Sequence, residues 1–137
     1  MSDLSRFTAA QEGVYETALA ELEAGRKRSH WMWFVLPQIA GLGSSPMAQR
    51  YAIADLDEAR AYLCDPVLGA RLRACVAAVL KHSGRTAHAI FGSPDDLKFC
   101  SCLTLFEAAD REEPLFRDAL EVFYDGARDE RTLRQLA

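Results

Sequence analysis

The sequence has no apolar run long enough to cross a membrane. Its apolar segments, such as residues 31–36, are short, whereas a membrane-spanning helix needs about 20 apolar residues. The first residues include Ser2, Asp3 and Ser5, and this polar start is unlike a secretory signal. We therefore expect a cytoplasmic protein that does not associate with membranes.

Positive charge is not in excess. The chain has 16 Lys and Arg residues against 20 Asp and Glu residues, which gives a formal net charge of −4. This balance provides no overall attraction to nucleic acid, so nucleic acid is a disfavoured partner. An RNA-binding surface would need the basic run Arg26-Lys27-Arg28 and the two tryptophans to be exposed together.

The cysteines do not have the spacing of a metal site. The four thiols are Cys64, Cys75, Cys100 and Cys102, and no second Cys pair or adjacent His accompanies the C-x-C of the last two. In a reducing compartment they stay free thiols, and their positions within helical patterns favour core packing. The sequence predicts no metal and no cofactor.

Known catalytic signatures and linkers are also missing. The chain has no P-loop, dinucleotide-binding fingerprint, nucleophile elbow or metalloprotease helix motif. No repeat or Pro/Gly-rich linker interrupts its 137 residues, so we expect residues 1–137 to fold as one domain.

Helix caps and stops divide the chain. The pattern predicts an all-α, single compact irregular domain of about six to eight helices. A helix over residues 5–24 should end at Gly25. Residues 29–38 form either a short buried helix, capped by Ser29 and ended at Leu36 by Pro37, or a buried strand, and the helix is favoured. Residues 87–91 could be extended. Further helices are expected over residues 46–53, 55–64, 66–83, 94–109, 114–125 and 129–136, with Ser45, Asp55, Ser93 and Asp129 as N-caps.

An aromatic block beside the basic run is the most unusual part of the sequence. Lys27, His30, Trp31, Trp33 and Gln38 could form the wall of a pocket for a planar anionic ligand. Alternatively, the tryptophans are plain core, the histidine bonds a carbonyl and the basic run is a solvated helix end.

A glycine-serine segment follows this block. Gly41, Gly43, Ser44 and Ser45 precede a predicted helix start and provide free backbone N–H groups and two hydroxyls, the components of an anion site. The alternative is a tight turn and a helix cap without a ligand.

A third polar segment lies on the apolar helix that begins near residue 94. Lys98, Ser101 and Thr104 are spaced by three, so they wind along one side of that helix. They face either solvent or a polar pocket. If the stripe is enclosed, Lys98 needs an anionic partner such as Asp96 or a ligand.

The residues of these blocks also carry a resemblance. The runs G-R-K-R-S-H-W-M-W-F-V-L-P-Q-I-A-G-L-G-S-S at 25–45, Y-A-I at 51–53, I-F-G-S-P-D-D-L-K-F-C-S-C-L-T-L-F at 90–106, and Asp129-x-x-Thr132-Leu133 resemble a bacterial and fungal family of small proteins of unknown function. Some members bear the name calpastatin, although calpain inhibition rests on disordered repeats. The resemblance implies a mainly helical single domain and no established activity.

Together these features predict one pocket for a small anionic ligand, phosphorylated or nucleotide-like. The three polar segments would converge there, with His30 and Lys98 as candidate catalytic residues: an acid or base and a charge stabiliser. The rival hypothesis is an adaptor domain without catalysis, in which an exposed apolar patch recognises a protein partner. The oligomeric state is left open.

Overall fold

The computed structural model describes residues 3–137, and these residues form α-helices joined by short loops. The predicted all-α class is confirmed. None of the described helices is long and apolar enough to cross a membrane. The ten helices are α1 (Ser5–Gln11), α2 (Tyr15–Glu23), α3 (Met32–Val35), α4 (Pro46–Arg50), α5 (Leu56–Cys64), α6 (Leu68–Leu80), α7 (Ala87–Phe91), α8 (Asp95–Ala109), α9 (Pro114–Tyr124) and α10 (Glu130–Leu136).

This count over the described residues exceeds the predicted six to eight helices. The helix expected over residues 5–24 is in fact two, because the backbone turns at Gly13 with φ +72°. Residues 87–91 are also helical rather than extended, since the Thr86 side chain accepts the backbone N–H of Ala89 and caps α7. Both corrections involve short helices, which have weak periodic signals.

Most of the predicted helix boundaries are confirmed. The side chains of Ser45, Asp55 and Asp129 each accept a backbone N–H in the first turn of α4, α5 and α10. Gly25 follows α2 with φ +77°, as a left-handed helix stop requires. The predicted Ser93 cap is wrong, because Pro94 occupies the N-cap position of α8 and offers no acceptor side chain.

Helix α8 is the centre of the fold. It packs against α5, α7, α9 and α10, while α6 packs against α2, α5 and α9. Fully buried side chains extend around much of the circumference of α8, among them Phe99, Leu103 and Phe106. Its N-terminal turns reach the surface, where Lys98 is partly exposed. Beside them, Ile39 and Ile53 form an isolated parallel bridge that ties down the start of the glycine-serine segment.

Candidate functional site

A surface cleft of about 570 Å³ lies beside the N-terminal half of α8. This volume is within the range of sites for small molecules, about 300–1,000 Å³. The cleft is bounded by α8, by residues 42–45 and by the start of α10. Its lining consists of Trp33, Gln38, Leu42, Gly43, Ser44, Ser45, Ala48, Pro94, Leu97, Lys98, Cys100, Ser101, Tyr124, Arg128, Asp129, Glu130 and Arg131.

The cleft collects side chains from all three polar segments of the sequence. Seven of the residues predicted for a ligand site line it: Trp33, Gln38, Gly43, Ser44, Ser45, Lys98 and Ser101. Five of them lie within residues 33–45, and helix packing brings Lys98 and Ser101 of α8 beside that segment. Part of each polar segment therefore lines this cleft.

Two smaller hollows adjoin the cleft. One of about 190 Å³ contains Gly41, together with Trp33 and Gln38. The other, of about 270 Å³, contains Lys27 and His30 and shares Trp33 and Pro94 with the main cleft. Trp33 thus lies at the junction of three hollows. The predicted residues Gly41, Lys27 and His30 belong to its surroundings rather than to the main cleft.

Trp31 and Thr104 do not reach any of these hollows, contrary to the sequence prediction. Both side chains are fully buried. The Trp31 indole Nε1–H donates to the Glu21 carboxylate at 2.9 Å. The Thr104 hydroxyl donates to the Cys100 carbonyl at 2.8 Å and accepts the backbone N–H of Asp129 at 2.9 Å. Their hydrogen-bonding groups are used inside the protein, so they cannot contact a ligand.

Glu21 holds the segment that leads to the cleft. Its carboxylate accepts the backbone N–H groups of Arg28 and Ser29 at 2.7 and 3.0 Å, as well as the Ser29 hydroxyl and the Trp31 indole. Burial alone would raise the pKa of Glu21, but these hydrogen bonds outweigh it and lower the pKa to about 2. Residues 28–31 are thereby fixed, and Trp33 follows them in α3.

Two lysine–tryptophan pairs meet at one carboxylate. The Lys27 ammonium lies 5.1 Å from the Trp31 ring, and the Lys98 ammonium lies 5.2 Å from the Trp33 ring. The Asp95 Oδ2 atom lies 2.8 Å from the Lys27 Nζ atom, and the Asp95 Oδ1 atom lies 3.6 Å from the Lys98 Nζ atom. One negative charge is therefore shared by two positive charges, and the longer contact is the one on the cleft side.

The sequence suggested Asp96 as an anionic partner of Lys98. In the structure the partner is Asp95. Residues two apart on a helix point to different sides, whereas residues three apart are neighbours. The i,i+3 spacing was therefore the signal that identifies the true partner. Asp96 instead faces His88, at 3.6 Å.

The opposite wall of the cleft is formed by α10 and the residues before it. Arg131 donates to the Leu42 carbonyl at 2.7 Å and so braces the glycine-serine segment. Arg128 is engaged by the Glu107 carboxylate. The Asp129 carboxylate accepts the Ser101 hydroxyl at 2.9 Å. Sequence reasoning missed both arginines, because their positions depend on how α10 packs on α8.

The two candidate catalytic residues, His30 and Lys98, line different hollows. The His30 side chain is exposed in the neighbouring hollow, so the structure does not place it beside Lys98 in one cavity. Cys100 lines the cleft, but burial raises the pKa of its thiol to about 11. It is therefore protonated at neutral pH and is a poor nucleophile.

The surface required for RNA binding is not formed by the predicted residues. The Lys27 side chain is only 8% exposed and is held in its ion pair. Trp31 is fully buried, so the basic run and the two tryptophans are not exposed together.

The fold and cleft define an all-α protein with a surface recess lined by both polar and apolar side chains. The chain belongs to the family described as "Protein of unknown function (DUF1810)", whose model matches residues 1–136. The resemblance deduced from the sequence blocks is thus confirmed. No curated protein sequence matches this chain.

A solved structure supports the same fold. The chain is similar to the conserved hypothetical protein Rv1873 from Mycobacterium tuberculosis, whose crystal structure superposes with a TM-score of 0.96. The two sequences are 51% identical, and the match covers 98% of this chain and 96% of that one.

Proposed function

We propose that this protein binds a small anionic metabolite, phosphorylated or nucleotide-like, in the 570 Å³ cleft. The observation that carries the proposal is the position of Lys98. Its ammonium group projects along the cleft wall over Trp33, and its nearest carboxylate is already bonded more closely to Lys27. A positive charge that is only partly neutralised in a recess attracts an anion.

The glycine-serine segment supports the same ligand chemistry. Within residues 3–137, the backbone N–H groups of Gly43, Ser44 and Ser45 have no acceptor. Such groups, together with the Ser44 hydroxyl, can donate to phosphate oxygens. Arg131, on the α10 wall of the cleft, contributes a second positive charge.

The cleft also offers apolar surface for the rest of the ligand. Trp33 is partly exposed, and Leu97 is 64% exposed although it is a large apolar side chain. Both line the cleft with the Gln38 amide. A ligand with a ring or sugar beside its anionic group would cover these side chains, which are not buried by the protein itself.

A thermal-shift screen tests the proposal. The wild-type protein is heated with nucleotides, sugar phosphates and inorganic phosphate. A ligand at 100 times its Kd stabilises the folded state by about 2.7 kcal/mol, so a true ligand raises the Tm by several degrees. Lys98→Met should abolish this rise, because methionine is also a long unbranched side chain but has no charge.

Lys81→Met is the matched control. Lys81 is exposed at the end of α6 and does not line the cleft, so its loss should leave the ligand-induced rise unchanged. If no compound raises the Tm, or if both variants lose the effect equally, the cleft is not the anion site. A clean negative would favour the adaptor hypothesis.

A further inference from the structure

The shared carboxylate of Asp95 has a consequence for how the cleft binds its ligand. Its Oδ2 is 2.8 Å from the Lys27 ammonium, and its Oδ1 is 3.6 Å from the Lys98 ammonium. An anion that reaches Lys98 must therefore compete with a carboxylate that is already present. The strength of this competition depends on which lysine holds the carboxylate.

Lys27 holds it firmly. The Lys27 side chain is 8% exposed, and its ammonium also donates to the Ser29 carbonyl at 2.6 Å. Ser29 is itself fixed by Glu21. Lys98 is different: its side chain is 28% exposed and its contact with Asp95 is long. The carboxylate is thus retained on the Lys27 side.

We propose that Asp95 is an internal counter-anion that competes with the ligand for Lys98, and that Lys27 is the positioning residue that limits this competition. The inference rests on the proposed function. When the ligand arrives, Lys98 exchanges the carboxylate for it, and Asp95 keeps Lys27 as its partner. No buried charge is then left without a partner. An unpaired buried charge would be strongly unfavourable.

Two variants should change the affinity for inorganic phosphate in opposite directions, as measured by isothermal titration calorimetry. In Lys27→Met, Asp95 retains Lys98 as its only lysine partner, and phosphate affinity should fall about fivefold, the factor for an ion pair of ~1 kcal/mol. In the double variant Lys27→Met/Asp95→Asn, Lys98 has no competing carboxylate. Phosphate should then bind about fivefold more tightly than to wild type.

The double variant is preferred to Asp95→Asn alone, since the single change would leave the buried Lys27 ammonium without its carboxylate. Asp96→Asn is the matched control. It removes the same charge from the next position of α8, where the carboxylate faces His88, and it should change the affinity less than about twofold.

The outcomes separate this inference from the proposed function. Phosphate binding that weakens in the first variant and strengthens in the second supports both. If wild type binds phosphate but the double variant binds it equally or more weakly, Asp95 does not compete and the inference fails. If phosphate binds to none of these proteins, the proposed function fails with it. Equal losses in the two variants would indicate a structural role for Lys27 alone.

Discussion

The two lysine–tryptophan pairs have similar ammonium-to-ring distances but different surroundings. Lys27 and Trp31 are buried, and Glu21 and Asp95 satisfy their polar groups. Lys98 and Trp33 have almost the same separation but face the cleft. The comparison shows that two similar side-chain pairs can differ in burial: one is enclosed and bonded within the protein, and the other lines the cleft.

The largest expected effect separates the two tryptophans. Trp31→Ala should lower the free energy of unfolding by about 3–5 kcal/mol, because it removes a fully buried ring and leaves a cavity. Trp33→Ala should lower it by only about 1–2 kcal/mol, since that ring is partly exposed. Urea denaturation measures both values. Equal losses of unfolding free energy would show that the two tryptophans do not differ in their structural role.

Replacing Lys27 should likewise lower the free energy of unfolding more than replacing Lys98. Lys27→Met should lower the free energy of unfolding by about 1–3 kcal/mol, because it removes one partner of a buried ion pair while Asp95 keeps Lys98. Lys98→Met should change it by less than about 1 kcal/mol, as expected for a partly exposed pair. A larger loss for Lys98 would show that its charge is needed for folding rather than for a ligand.

A smaller effect should come from the carboxylate that fixes the buried pair. Glu21→Gln should lower the free energy of unfolding by about 1 kcal/mol at neutral pH, because three N–H donors and a hydroxyl lose a charged acceptor. Urea denaturation over a series of pH values measures this difference.

The pH dependence follows from the lowered pKa of Glu21. Since that pKa is about 2 in the folded protein and 4.5 in a free carboxyl, its stabilising contribution is complete above pH 4.5. It is lost as the pH falls towards 2. The difference between wild type and Glu21→Gln should shrink over this interval. A difference that stays constant down to pH 2 would contradict the proposed role of the carboxylate.

Much of the fold could be predicted because its helix boundaries are local. Ser45, Asp55 and Asp129 bond to amides three residues away, so the signal lies within a few positions of sequence. The break at Gly13 was not apparent, because the apolar stripe continues through it and a glycine is compatible with either a turn or a helix. The helix over residues 87–91 is too short for periodicity to reveal.

The candidate site was less accessible to sequence reasoning. Unusual composition identified Trp33 and Lys98, but it could not distinguish Trp31 from Trp33, since burial is a property of the whole fold. Glu21 and Arg131 act through contacts 10 and 89 residues away in the chain, and no local pattern encodes such distances. Only the i,i+3 relation of Asp95 to Lys98 was available in the sequence itself.

The two indole N–H groups provide the most direct test of the central claim. The chain contains two tryptophans, so an ¹⁵N-labelled sample should show two indole cross-peaks, which Trp33→Phe assigns. During a titration with inorganic phosphate, the Trp33 cross-peak should move while that of Trp31, bonded to Glu21, stays in place. Two stationary peaks, or a shift of the Trp31 peak alone, would contradict the account.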